Sequence, residues 1–262
     1  MKVRRPAVAG MFYEDDAARL RAHLDALLED APAPAGGDAR PRALIVPHAG
    51  YIYSGETAAR AYRLLLPWAR EIRRVALFGP AHRVPLHGLA VPSVTSFATP
   101  LGEVPLDREL LERAAALPGV CVSDEAHRVE HSLEVQLPFL QAVLGDFTLA
   151  PLVVGEAPPE QVAAVIDALW TDPQTLLVVS TDLSHFLSYE EASRRDSRTC
   201  QRVLDRDSGL SGLDACGARA LNGLLSSRGA QALDIELLDR CNSGDSIGDK
   251  QRVVGYGAFA LR

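Results

Sequence analysis

The sequence predicts an α/β fold: one layered domain with a central, mostly parallel or mixed sheet that is flanked by helices. Short apolar runs typical of strands alternate with amphipathic runs typical of helices. The strand-like runs are apolar on both faces, as in a sheet that is covered on both sides. No linker after residue 42 is long enough to separate two domains, so residues 1–262 are predicted to form a single domain.

The predicted elements follow from local patterns along the chain. Residues 17–29 repeat Leu and Ala at intervals of three and four, which predicts a helix, and Pro and Gly in residues 31–42 predict an exposed linker. Further helices are predicted over 56–66, 107–116, 132–144, 159–170, 189–205 and 213–227. Strands are predicted over 43–46, 73–79, 119–123, 147–154, 175–180, 232–239 and 252–261. Only a loop separates the last two strands, which favours an antiparallel pair.

Composition and charge narrow the classes of function. The chain has 27 Lys and Arg against 34 Asp and Glu, a net charge of −7, and no run of five or six like charges. Nucleic acid is therefore not an expected partner, because binding to its backbone needs a clustered basic surface. No apolar run approaches the roughly 18–20 residues of a membrane-spanning helix. The weak N-terminal apolar patch and four cysteines without a CxxC pair indicate a cytoplasmic protein.

Polar side chains follow three of the predicted strands. His48 follows "ALIV", His82 follows "VALFG", and Asp182 and His185 follow "LLVVS". In open α/β sheets, ligands bind outside the carboxyl ends of the strands. His48 and His82 lie on consecutive predicted strands joined by one helix, which predicts a βαβ unit with both imidazoles at neighbouring strand tips. Two such imidazoles can share a metal ion, since imidazole suits Zn, Cu, Fe and Ni.

A catalytic metal ion normally needs a third protein ligand. The candidates are the carboxylates of Asp182, Glu134 and Asp245, and the thiol of Cys241 in a loop rich in Asn, Ser and Gly. His131 and Glu134 are three residues apart at a predicted helix start, so they face the same side. Glu134 is equally consistent with capping of that helix.

Six stretches together resemble the Memo-like family, which includes prokaryotic members called AmmeMemoRadiSam system protein B. They are "RRPAVAGMFY", "PHAGYIYSG", "FGPAHR", "EHSLEVQLPFL", "STDLSHF" and "NSGDSIGDKQRVVGYGAFAL". The resemblance extends from residue 4 to the end of the chain. It implies a fold similar to the class III extradiol dioxygenases, which are non-haem iron enzymes that use two histidines and a carboxylate as iron ligands.

The same resemblance implies roles for individual residues. His48 and His82 match the two metal-binding histidines, and Cys241 falls where the dioxygenases use a glutamate. His185 falls at the position of the acid/base histidine, with Asp182 beside it. His131 and Glu134 would complete the catalytic pocket. The resemblance also implies association with a radical SAM protein and an AMMECR-type protein.

Three functions remain open from the sequence. The first is a metal-dependent oxidoreductase acting on an unknown small molecule or peptide, with iron as the expected metal and copper or zinc as alternatives. The second is a module that binds a peptide or small anion without turnover, using the backbone N–H groups of "SGDSIGD", residues 243–249. The third is a zinc-assisted hydrolase, for which the same ligands would suffice.

Overall fold

The computed structural model of the protein describes residues 2–32, 39–246 and 248–262. Residues 33–38 of the predicted linker lie outside the described residues, and so does residue 247 of the predicted anion-binding loop.

The described residues contain helices close to those predicted from the apolar periodicity. The α-helices are α1 Ala17–Asp30, α2 Tyr51–Tyr62, α3 Arg108–Ala115, α4 Asp124–Arg128, α5 Leu137–Leu144, α6 Pro159–Leu169, α7 Tyr189–Leu204, α8 Ala218–Ser226, α9 Arg228–Gln231 and α10 Ser243–Ser246. Two 3₁₀ helices span Arg63–Trp68 and Glu134–Gln136. Asp16, Asp107 and Ser188 cap α1, α3 and α7 by accepting a backbone N–H with their side chains.

The strands include several that are too short to be seen in the sequence. They are β1 Val3–Arg4, β2 Ala43–Val46, β3 Arg74–Pro80, β4 Leu89–Val91, β5 Ser96–Thr99, β6 Gly102–Pro105, β7 Val120–Val122, β8 Thr148–Val154, β9 Thr175–Ser180, β10 His185–Leu187, β11 Ile235–Asn242 and β12 Val253–Leu261. β1, β5 and β6 form a small separate sheet. β2, β8 and β9 match the predicted strands to within a residue.

The central sheet is mixed, as predicted, with the order β10-β12-β2-β9-β3-β8-β4-β7 and with β11 paired to β12. β2, β9, β3 and β8 are parallel, whereas β12 runs antiparallel to β2 and to β11. The prediction that the strands before His48 and His82 are neighbours is wrong, because β9 lies between β2 and β3. The carboxyl end of β9 therefore separates the two histidine-bearing loops.

Two groups of helices pack with this sheet. α1, α2 and α5 contact one another, and α2 also contacts β2, β11 and β12. α3, α6 and α8 form the second group, in which α8 contacts β3 and β9. All four side chains of β2 and all six of β9 are buried, as expected for strands covered on both faces. The central mixed sheet is thus flanked by helices, as the sequence predicts.

In the part of the chain that the structure describes, no helix combines the length and the apolar character needed to cross a bilayer. The assignment of residues 1–262 to a single domain stays a prediction.

Candidate metal centre

Three histidines from three parts of the chain meet at one edge of the sheet. His48 follows β2, His82 follows β3, and His131 lies between α4 and the second 3₁₀ helix. One ring nitrogen of each lies within 4.8 Å of the corresponding atoms of the other two. The ring centroids are 5.2 Å apart for His48 and His82, 5.5 Å for His48 and His131, and 4.7 Å for His82 and His131. We call this group the three-histidine cluster.

The hydrogen bonds around His48 determine which of its ring nitrogens carries the proton. Its Nδ1 lies 2.9 Å from Ser180 Oγ, which donates its one hydrogen to the Ser132 carbonyl at 2.6 Å. Ser180 Oγ also accepts a hydrogen bond from Gln136 Nε2 at 2.8 Å. Because a serine hydroxyl has one hydrogen and a carbonyl cannot donate, Nδ1 of His48 must donate to Ser180. The Nε2 atom of neutral His48 therefore carries a lone pair.

That lone pair lies close to two other polar groups. Cys216 Sγ is 3.3 Å from His48 Nε2, and Asp182 Oδ2 is 3.9 Å from it. The other carboxylate oxygen of Asp182 accepts a hydrogen bond from the His48 backbone N–H at 2.7 Å. Asp182 thus positions the main chain of His48 at the end of β9.

Glu130 orients His82. The backbone N–H of His82 donates to Glu130 Oε2 at 2.7 Å, and its Nδ1 lies 3.0 Å from Oε1. The Ser132 backbone N–H also donates to Oε1 at 2.9 Å, and Arg4 donates to the Glu130 main-chain carbonyl. A carboxylate accepts the Nδ1 proton, so Nε2 of His82 is left with a lone pair. Metal-binding histidines typically show this arrangement.

His131 has the least satisfied ring of the three. Its buried Nδ1 has no hydrogen-bond partner among the described residues, and the Oε1 atom of Glu130 lies 3.4 Å away. Its ring packs on that of Phe12, with centroids 5.0 Å apart. A buried nitrogen without a partner is costly unless another group binds it. Three imidazoles with available nitrogen atoms fit Zn, Fe, Cu or Ni.

The electrostatics keep two of these rings neutral. Burial, followed by the neighbouring imidazoles, lowers the pKa of His48 to about 3 and that of His131 to about 4. Burial alone would raise the pKa of Glu130, but the hydrogen bonds from His82 and Ser132 lower this pKa to about 2. His48 and His131 are therefore neutral and Glu130 is ionised at pH 7. Neutral imidazole is the form that binds metal ions.

Two members of the three-histidine cluster, His48 and His131, line a cleft of about 550 Å³. The lining includes His48, His131, Asp182 and His185, together with Met11, Phe12, Tyr53, Arg252 and Tyr256. The structure therefore brings four of the predicted site residues to one cleft. Phe186, beside His185, has a positive φ of 61°, and Arg252 lies over its ring at 5.0 Å. A non-glycine residue in this backbone region is uncommon and is often found at functional sites.

Glu134 lies away from that cleft and is fully buried. Its carboxylate pairs with Arg4 and accepts hydrogen bonds from the backbone N–H groups of Ala7 and Val8 at 2.8–3.0 Å. The Tyr13 hydroxyl donates to the same carboxylate at 2.6 Å. Glu134 thus anchors residues 4–13, the segment that carries Met11 and Phe12 to the cleft. The structure does not place it against His131 as a catalytic partner.

Cys241 also lies outside the three-histidine cluster. It is in β11, paired with Tyr256 of β12, and its Sγ is 3.0 Å from Thr57 Oγ1. Burial raises the pKa of this thiol to about 11. His131, rather than Cys241, is the third residue that the structure brings to His48 and His82.

Sequence reasoning did not assign roles to Ser180, Glu130 or Cys216. Glu130 directly precedes His131, and Ser180 ends the strand that leads to Asp182. Their position next to candidate site residues is a feature of the sequence that could have identified both. Cys216 follows no strand and lies in a segment predicted to be helical. Its contact with His48 spans 168 positions and is visible only after folding.

Comparison with known proteins places the chain among its relatives. The family model for Memo-like proteins matches residues 4–260. MEMO1 family proteins of Aquifex aeolicus, Archaeoglobus fulgidus and Metallosphaera sedula are 35%, 34% and 33% identical to this chain. The alignments cover 98%, 99% and 97% of this chain and 98%, 100% and 97% of those relatives.

The fold is also similar to a solved structure. The crystal structure of an uncharacterized protein from Escherichia coli K12 superposes with a TM-score of 0.54 at 15% sequence identity. The match covers 82% of this chain and 99% of that protein, and at this identity it indicates the fold alone. The assignment of the chain to a family rests on the sequence matches to the family model and to the relatives. This chain therefore belongs to the Memo-like protein family.

Proposed function

We propose that this protein is a metal-dependent oxidoreductase whose substrate binds in the cleft beside the three-histidine cluster. The proposal rests on one observation: Nε2 of His48 and Nε2 of His82 each have a lone pair. Ser180 and Glu130 orient the two rings through hydrogen bonds to the opposite ring nitrogen, Nδ1. His48, His82 and His131 would hold the ion. Iron is the expected metal, and copper and zinc are the alternatives. Imidazole ligands suit all three metals. A bound redox metal would supply electron transfer from the substrate to dioxygen.

The protein groups around the cleft support this chemistry. His185 lines the cleft together with His48 and His131, and we assign it the role of proton donor or acceptor to the substrate. Arg252, also in the lining, provides a positive charge for an anionic oxygen of the substrate. Asp182 accepts a hydrogen bond from the His48 backbone N–H, and we assign it the role of holding His48 in place. Phe12 covers one face of the His131 ring.

A hydrolase that uses zinc is the second candidate, and one observation favours it. The third residue of the cluster is an imidazole where a thiol was expected, and three histidines with an open position are an established ligand set for catalytic zinc. Zinc content with ester or amide hydrolysis would favour the hydrolase. Iron or copper content with consumption of an oxidant would favour the oxidoreductase.

Metal analysis of protein that has been purified without oxygen tests the proposal. We expect one metal ion per chain in the wild type, and loss of that ion in the His48→Ala/His82→Ala double variant. His87→Ala is the matched control, because His87 lies outside the cluster and is not part of the cleft lining. A double variant that keeps its full metal content would refute metal binding at this cluster.

The partners stay a prediction. We propose a small molecule or peptide as the substrate, and a functional association with a radical SAM protein and an AMMECR-type protein. These proposals rest on the family resemblance. Co-purification of the two proteins with the tagged chain, compared between wild type and an empty-tag control, tests the association.

A further inference from the structure

Three arginines converge on one side of helix α7. Arg194 and Arg198 lie one turn apart on α7, and Arg240 lies in β11, the strand on which α7 packs. Together with Ser193 and Ser197 they line a surface depression of about 470 Å³. We propose that this depression, which we call the three-arginine site, binds the phosphate group of a small molecule. The inference goes beyond the proposed function and requires no metal ion.

The chain supplies no counter-charge to the three-arginine site. Among the described residues, no carboxylate forms an ion pair with Arg194, Arg198 or Arg240. Arg240 Nη1 donates to the Ser193 main-chain carbonyl at 3.0 Å, which uses one of the several N–H donors of its guanidinium group. The three guanidinium groups therefore retain most of their capacity to donate hydrogen bonds to a ligand.

The other charged side chains of α7 have partners elsewhere. Arg202 forms an ion pair with Asp207 at 2.7 Å. Glu191 accepts a hydrogen bond from the Ser188 hydroxyl at 2.7 Å at the start of the helix. Asp196 is buried, and its carboxylate accepts a backbone N–H of the loop between β9 and β10 at 3.0 Å. These acidic residues do not form ion pairs with the arginines of the site.

An arrangement of this kind lowers stability unless an anion is bound. Like charges one turn apart on a helix, as at Arg194 and Arg198, repel each other. Arg240 adds a third positive charge to the pair. The chain has a net charge of −7, so a cluster of positive charge does not follow from its composition. An anion between the guanidinium groups would remove the repulsion.

The donors of the site match a phosphate group better than a single carboxylate. The planar guanidinium group of Arg donates two parallel hydrogen bonds to an oxyanion. A phosphate monoester carries a charge of about −1.5 to −2 at pH 7 and three strong acceptor oxygens. A carboxylate carries one charge and two oxygens. Three guanidinium groups and the hydroxyls of Ser193 and Ser197 complement the phosphate group.

The lining of the three-arginine site favours a small ligand over a protein partner. All of its lining residues are Arg or Ser, whereas protein interfaces have an apolar core. Its volume lies within the range of about 300–1,000 Å³ that is typical of small-molecule sites. Among the described residues, it shares none with the lining of the cleft or with the three-histidine cluster. Ligand binding here should therefore not depend on the metal.

Isothermal titration calorimetry with pyrophosphate tests the inference. The full-length chain is used after removal of metal ions, which pyrophosphate would otherwise chelate. We expect the wild type to bind one pyrophosphate per chain. The Arg194→Gln/Arg198→Gln double variant should bind it about tenfold more weakly or worse, because hydrogen bonds between charged groups are lost.

The matched control is the Arg21→Gln/Arg108→Gln double variant. Arg21 is exposed in α1 and Arg108 is exposed in α3, so the control removes the same number of positive charges from other parts of the surface. It should bind pyrophosphate as the wild type does. Circular dichroism and urea midpoints of both double variants verify that they are folded. If the Arg194→Gln/Arg198→Gln variant is unstable, the single Arg198→Gln variant, compared with Arg21→Gln, should show the same direction of change.

Two further titrations examine the third arginine and the class of ligand. Arg240→Gln should also weaken pyrophosphate binding about tenfold, because β11 supplies the third positive charge. Malonate, a dicarboxylate, should bind the wild type at least about tenfold more weakly than pyrophosphate does.

The remaining outcomes contradict the inference. A wild type that does not bind pyrophosphate overturns it, and so does equal affinity of the two double variants. Unchanged affinity in Arg240→Gln contradicts a site shared between α7 and β11. Malonate binding as tight as that of pyrophosphate contradicts the assignment to phosphate. None of these results bears on metal binding at the three-histidine cluster, because all titrations use metal-free protein.

Discussion

His48 Nδ1 lies 2.9 Å from Ser180 Oγ, and the single hydroxyl hydrogen of Ser180 is already donated to the Ser132 carbonyl. This hydrogen bond sets the tautomer of His48, because only a protonated Nδ1 can satisfy it. The two residues are 132 positions apart and lie at the ends of the adjacent parallel strands β2 and β9. The strand pairing therefore determines which nitrogen His48 offers to a ligand.

Replacing Ser180 by Ala should weaken metal binding. Without the acceptor, His48 loses the contact that holds its ring and its tautomer, and the loss of such a supporting contact typically lowers metal affinity about 10- to 100-fold. Isothermal titration of Zn²⁺ or Co²⁺ into metal-free protein measures the effect. Ser54→Ala is the matched control, because Ser54 is a buried serine whose hydroxyl binds the Ala49 carbonyl. Equal affinities of the Ser180→Ala and Ser54→Ala variants would show that the contact has no effect on the metal.

Replacing Glu130 by Gln should lower the affinity by a similar factor, about 10- to 100-fold. The amide keeps the size of the side chain but removes the negative charge that orients and polarises His82. The same titration measures this change. The control is Glu125→Gln, which removes an exposed carboxylate paired with Arg128. If Glu130→Gln binds metal as tightly as Glu125→Gln does, the assignment of Glu130 is wrong.

Replacing Glu134 by Gln should reduce the free energy of unfolding by about 3–5 kcal/mol, because it leaves the buried Arg4 charge unpaired. Urea denaturation followed by circular dichroism measures this change. The exposed Glu125→Gln variant should stay within about 0.5 kcal/mol of the wild type. A loss below about 1 kcal/mol in Glu134→Gln would contradict the anchoring role of the Arg4–Glu134 pair.

The metal-free protein should lose stability as the pH falls below neutral. Burial lowers the pKa of His48 to about 3 and that of His127 to about 4, from an ordinary value of 6.5. Below pH 6.5 the unfolded chain binds protons that these folded histidines do not, so the free energy of unfolding decreases from about pH 6.5 toward pH 4. The decrease is at most about 1.4 kcal/mol per pH unit for each histidine.

Glu130 adds to the same trend at lower pH. Its pKa is lowered from 4.5 to about 2, so the stability that its ionised form contributes is lost as the pH falls from about 4.5 to 2. Urea midpoints at pH 7, 6, 5, 4, 3 and 2 measure both ranges. A His127→Phe variant should show a shallower loss between pH 6.5 and 5, because it removes one of the titrating groups. A wild-type midpoint that is constant from pH 7 to 5 would contradict the neutral state of the buried histidines.

Much of the fold was predictable because its strands and helices are long enough to show a pattern. β2, β8, β9, α1 and α6 lie where the apolar runs predict them. β1, β4 and β10 span two or three residues, too few for a period to be recognised, and β6 has one buried residue among four, so it forms no apolar run. α2 begins at Tyr51, earlier than predicted, because Tyr51 packs on Phe139 and Tyr13 and its hydroxyl binds the Val135 carbonyl. Tertiary packing there overrides the weak helix propensity of "YIY".

The sequence by itself determined the fold class, the family and the strand ends that carry His48, His82, Asp182 and His185. These features depend on residues close together in the chain, where periodicity and motifs are visible. Only the tertiary structure decided that β9 separates β2 from β3, that His131 joins the two histidines, and that Cys216 rather than Cys241 contacts His48. The reason is physical: contacts between residues far apart in the chain depend on strand order and packing, which no local pattern contains.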